Sequence, residues 1–156
     1  MKTQAGFSLV ELVTVMVLLG ILSVMVLPRF FDNDIYKERG FQDLFAADVR
    51  FAQKKARFSG CEVRVLTTSG SYNITQRAGC SSGTFSVAVS RLGDTSDPVS
   101  ESAPSGVTLT VDDFYFDSRG RPWDNATSTL WNSSVDLSVG SKTLRIEAET
   151  GYTYWL

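Results

Sequence analysis

GFSLVELVTVMVLLGILSVMVLP occupies residues 6–28, and its reading decides how the rest of the chain is built. Residues 7–27 form a run of 21, mostly Leu, Val, Ile and Met, interrupted by one carboxylate, Glu11. At about 1.5 Å per residue such a run reaches about 31 Å as a helix, close to the roughly 30 Å hydrocarbon core of a bilayer. A cleavable secretory signal would be shorter and would end in small residues. The stretch SVMVLPRF that closes this run has no such site. The spacing therefore predicts a helix over 7–27 that can span a membrane and is not removed after its apolar part.

Glu11 is the residue such a span should reject, because a carboxylate deep in an apolar helix costs about 2.5 to 3.5 kcal/mol on insertion scales. Two local readings reconcile it. It lies four residues from position 7, one helical turn along the same face, within reach of a cation placed there. It also lies near the helix N-terminus, where the macrodipole favours a negative charge.

Composition bounds the rest. The 156 residues carry 15 basic and 17 acidic groups, a net charge of -2 with no histidine. That balance argues against a dedicated nucleic-acid binder. Without histidine, the commonest general base and metal ligand is gone, and no catalytic residue, metal site or cofactor is expected. The cysteines are Cys61 and Cys80 alone, which reads as one disulfide in an exported protein and as two buried thiols in a cytosolic one.

The leader MKTQAG, with Lys2 and a terminal glycine, followed by FSLVEL, the apolar run and Pro28, resembles the class III signal of type IV pilins and type II secretion pseudopilins. The resemblance implies that a prepilin peptidase cuts between Gly6 and Phe7 and methylates the new Phe7 amine. It further implies that Glu11 meets the Phe7 amine of a neighbouring subunit as major and minor pilins join in a helical filament. The leader would lie in the cytoplasm, the span in the bacterial inner membrane, and the C-terminal domain in the periplasm before assembly carries it to the pilus and cell surface. The later segments RFAQKKA, FDSRGRPW and RIEAETGYTYWL are similar to the GspH and FimT group of minor pilins and pseudopilins, and LPRFF to proteins of the mannose-sensitive haemagglutinin (MSHA) pilus system. Some DNA-uptake members of the group it resembles carry a basic Gly-Arg motif near the C-terminus. Here TGYTYWL stands in its place, so no nucleic-acid partner is expected.

Beyond the span, Pro28 removes a backbone donor and should kink the helix. Residues 41–58 return to helical periodicity, with Phe41, Leu44, Phe45, Val49, Phe51, Ala52, Ala56 and Phe58 read as one apolar face and Ser59–Gly60 as the stop. After Gly60 the period becomes two. CEVRVLTT and YNITQ flank a turn at SGS, and TFSVAVS, VTLTV, DFYFD, KTLRIEAE and YTYWL alternate or nearly so. Phe85, Val87 and Val89 should share a face, as should Val107, Leu109 and Val111, and Leu144, Ile146 and Ala148.

The expectation is an α+β fold of the type IV pilin kind, a long N-terminal helix packed on an antiparallel sheet domain. Residues 1–6 form the leader, 7–27 the membrane and filament-core helix, 28–60 the amphipathic helix and 61–156 the periplasmic sheet domain. With export implied by the resemblance, Cys61 and Cys80 are expected to be bonded across the base of the first hairpin. Residues 93–106 read as an exposed polar loop.

Overall fold

The computed structural model describes residues 8–26, 33–91 and 97–156. The expected cleavage and methylation positions Gly6 and Phe7, and the kink at Pro28, lie outside the described residues. The chain divides into two compact units, Met1–Tyr36 and Lys37–Leu156. In the first, helix α1 spans Leu9–Val26. Its 18 residues rise about 27 Å, and among the described residues no helix is long and apolar enough to cross a membrane.

Helix α2, Asn33–Ser59, stops where Gly60 takes a left-handed φ of 70°. Among the described residues ten strands follow, paired antiparallel, and the fold is α+β. Strands β1 (Val63–Thr67) and β2 (Ser71–Arg77) form the expected hairpin, closed by the Thr68 N–H donating to the Ser71 carbonyl. The first sheet has the order β3-β2-β1-β5-β6-β7, with β4 pairing on β2 beside β3. Its further members are β3 (Phe85–Ala88), β4 (Ser100–Ser102), β5 (Asp112–Phe116), β6 (Pro122–Asp124) and β7 (Thr129–Leu130). The second sheet has the order β10-β9-β8, from Thr153–Trp155, Lys142–Ile146 and Val135–Val139.

The core lies between α2 and the sheets. Phe41, Phe45, Val49, Ala52 and Ala56 of α2 are buried with Val63, Val65, Ile74, Phe114, Phe116, Leu137, Leu144 and Ile146. The ring of Phe45 meets Tyr72 edge-on at 4.9 Å.

Several expectations change. Phe58 is 96% exposed and Phe51 only half-buried, so the phenylalanines do not form one core stripe. At about 100° per residue, Phe51 and Phe58 fall on the side of α2 away from Phe45 and Ala52, while Asp48 falls within the buried arc. VTLTV forms no regular strand. Val107 and Leu109 are buried, Leu109 bridging to Val139, but Val111 is 67% exposed. Val87, in β3, is exposed, whereas Val89, just past the end of the strand, is buried where its carbonyl accepts the Val99 N–H. Residues 97–106 are not simply a loop: β4 pairs with β2, Val99 is buried, and Pro98 bridges to Ser90. That segment covers the edge of β2 beyond the end of β3.

Candidate assembly site

Ser8 caps α1, its hydroxyl accepting the Val10 N–H at 3.2 Å. Ser8 and Glu11 have capping-box spacing, in which Glu11 would reach back to the Ser8 N–H. That reciprocal bond is not formed, and among the described residues the Glu11 carboxylate holds no hydrogen bond or ion pair. Every large apolar side chain described on the helix is exposed, between 78% at Leu9 and 48% at Val15. A helix apolar on all sides is one that lipid or other helices must cover. Its small polar groups turn inward: the Thr14 hydroxyl donates to the carbonyls of Val10 and Glu11, and that of Ser23 to Leu19. Glu11 is thus the one charged group on this surface among the described residues, and it is left open to a partner.

In the second unit, α2 is clipped to the sheets along its length. Near its start, the Gln42 side-chain amide donates to the Val139 carbonyl at 2.9 Å and to Glu38, while Glu38 accepts the Ser141 N–H at 2.6 Å. Hydrogen bonds from the Ser141 hydroxyl and N–H hold the Glu38 carboxyl below the usual carboxylate range.

At mid-helix, the buried Asp48 accepts the Tyr72 hydroxyl at 2.7 Å and both arms of Arg91, at 2.9 and 2.6 Å. Arg91 also reaches Glu101, tying β4 to the helix. Burial first, then the hydrogen bond to Asp48, pushes the Tyr72 hydroxyl far above its usual range, so it stays protonated and donates.

Towards the helix C-terminus, Arg50 donates to the Thr153 carbonyl, and the Gln53 amide bridges the carbonyls of Gly120 and Thr150. One side chain therefore holds turns from both sheets.

Cys61 and Cys80 are joined by a disulfide, 19 positions apart. Beside it, the Glu62 N–H donates to the Cys80 carbonyl, closing the hairpin base. The acidic residues Asp113 and Asp117 are taken up in local pairs. Asp113 binds Arg64, and Asp117 binds Arg121 and accepts the Trp123 indole N–H. Burial alone would raise the Asp117 carboxyl, but donation from the Arg121 backbone and side chain, Trp123 and the Arg119 backbone outweighs it and lowers it. Trp131 packs on Phe114 and Trp123 stacks on Tyr115, while Lys142 sits over Trp155. The clips from α2 and the role of Asp48 had no signal in periodicity, because they join residues up to 103 positions apart.

Residues 1–27 match the family described as the prokaryotic N-terminal methylation motif. No curated protein and no solved structure matches the chain. The apolar α1 with its open carboxylate lies within that matched segment, and over its first 27 residues the chain carries the N-terminal methylation motif that marks type IV pilin-like precursors.

Proposed function

We propose that this chain is a low-copy minor pilin of an MSHA-type type IV pilus, resembling the minor prepilin MshC, that helps initiate or support filament assembly and surface attachment. The observation that carries the reading is the methylation motif on residues 1–27, joined to an all-round apolar α1 whose Glu11 is exposed and unpaired among the described residues. In this reading a prepilin peptidase cuts between Gly6 and Phe7, and Phe7 is methylated at its new amine. Residues 7–27 hold the precursor in the inner membrane with the domain in the periplasm, and later enter the filament core. Glu11 then meets the Phe7 amine of a neighbouring subunit, an ion pair formed where water is scarce and unpaired charge is costly. No enzymatic role belongs to the reading.

Two measurements test it. Mass spectrometry of the mature N-terminal peptide should find Phe7 first and one methyl group heavier; an uncut N-terminus would make the chain an anchored domain outside any filament. In a strain lacking the gene, pili should be lost with enzyme secretion intact, and the wild-type protein should occur at trace level in sheared filaments. Intact pili with enzymes retained in the periplasm would instead identify a GspH-type secretion pseudopilin.

A further inference from the structure

The outer face of the second sheet carries an ordered floor of polar and aromatic side chains. Val135 and Thr153 both lie opposite Ile146, whose side chain is buried in the core. The next row along therefore sets Ser134, Glu147 and Tyr152 side by side on the outer face, with the Glu147 N–H donating to the Tyr152 carbonyl. Two residues further, Asp136, Arg145 and Tyr154 form a second row on that face. The rows are tied together. Asp136 accepts both arms of Arg145 at 2.7 Å, and the Tyr154 hydroxyl donates to Glu147 at 2.9 Å. The Tyr152 ring rests on Tyr154, with centroids 5.6 Å apart and 28° between the planes. Tyr152 is nevertheless 63% exposed, so its other face is open. Beside it, a hollow of about 400 Å³ lies between Asn132, Ser133, Ser134, Glu147, Glu149 and Thr150, within the roughly 300–1,000 Å³ of small-ligand sites.

We propose that the hollow and the open face of Tyr152 bind a neutral oligosaccharide. The charges decide against an anion: Asp136 neutralises Arg145, which leaves Glu147 and Glu149 to make the hollow negative and unfit for phosphate or nucleic acid. The donors decide against a simple cation. The Asn132 amide and the hydroxyls of Ser133, Ser134 and Thr150 both give and accept hydrogen bonds, whereas a cation uses acceptors alone. Among the described residues there is also no group of three or more carboxylates or other ligating side chains that could hold a metal ion. A sugar answers the whole set. Its C–H face carries the positive partial charge that the negative face of the Tyr152 ring attracts, and its hydroxyls donate to Glu147 and Glu149 and exchange bonds with Asn132 and the serines. Stacking on Tyr154, itself held by Glu147, fixes the Tyr152 ring before a ligand arrives, so little side-chain freedom is lost on binding. The site lies wholly in the second unit, and it goes beyond the filament role without depending on it.

The test is saturation-transfer NMR on the full-length chain in zwitterionic micelles, whose headgroups carry no sugar, with cellohexaose and maltohexaose as the probes. Irradiating the protein should transfer saturation to the C–H protons of at least one hexasaccharide. Tyr152→Ala should lower that signal several-fold, Tyr152→Phe should keep it, and Glu147→Gln should weaken it. Tyr152 is exposed and outside the core, and an unchanged thermal midpoint of Tyr152→Ala checks that the fold is intact. Spermidine, added at the concentration of the sugar, should leave the signal in place. Absence of transfer to both hexasaccharides, an unchanged signal in Tyr152→Ala, equal loss in Tyr152→Phe, or displacement by spermidine, which would make this a site for cations, would each overturn the proposal.

Discussion

At the scale of single residues, two carboxylates on helices have opposite fates. Glu11 is exposed and unpaired among the described residues on an otherwise apolar helix surface, and removing its charge should make the helix easier to insert. Glu11→Ala is therefore expected to leave membrane insertion intact and to reduce recovery of the subunit in sheared filaments; normal recovery would assign Glu11 to helix-end electrostatics alone. Asp48 is buried and held by Tyr72 and Arg91. Asp48→Ala strands the Tyr72 hydroxyl and leaves Arg91 with Glu101 only, a loss of about 3–5 kcal/mol for one side of a buried pair. Denaturant unfolding should show a correspondingly lower midpoint, with Asp48→Asn falling between the two.

At the scale of elements, α2 shows what spacing can and cannot reveal. The helix, its stop at Gly60 and the first hairpin were legible from a change of period, because both patterns are local. Phe51 and Phe58 misled because a count of apolar residues does not say which side of the helix the sheets will cover. The same helix makes two glycines differ. Gly151 has φ 66°, and a Cβ there would collide with the Gly120 carbonyl and the Gln53 amide. Gly151→Ala is expected to cost at least about 1–2 kcal/mol from the left-handed backbone alone, and to loosen the turn that Gln53 holds. Gly40, helical and unobstructed, should behave oppositely, Gly40→Ala raising stability by about 0.5–1 kcal/mol. Thermal unfolding of the two variants reads both signs.

At the scale of the whole molecule, the second unit joins two sheets through one helix, and a disulfide closes the base of the β1–β2 hairpin in the first sheet. The disulfide closes a loop of about 20 residues, and its removal by Cys61→Ala with Cys80→Ala should cost about 3 kcal/mol in the chain-entropy model. Acid should loosen the clip between α2 and the turn after β8. The Glu38 carboxyl is held below its ordinary value of 4.5 in the folded state, so its contribution is present above that pH and is lost as pH falls through the lower folded value. In Glu38→Gln the fall of stability with acid should be shallower over that window. An unchanged slope would mean that Ser141 does not distinguish the ionised from the neutral carboxyl.

The sequence by itself determined the elements whose signals are local: the apolar segment with one carboxylate, an amphipathic second helix, a hairpin, and the α+β class. Their cause lies in hydropathy and period, which neighbouring residues carry. Only the tertiary structure decided that there are two sheets rather than one, that residues 100–102 add a strand to β2, and which face of α2 is inside. It alone brought Asp48 to Tyr72 and Arg91, and Gln53 to turns of both sheets. Those contacts join residues between 24 and 97 positions apart. They depend on which polar groups are left without water when the core closes, a condition that no short stretch of sequence contains.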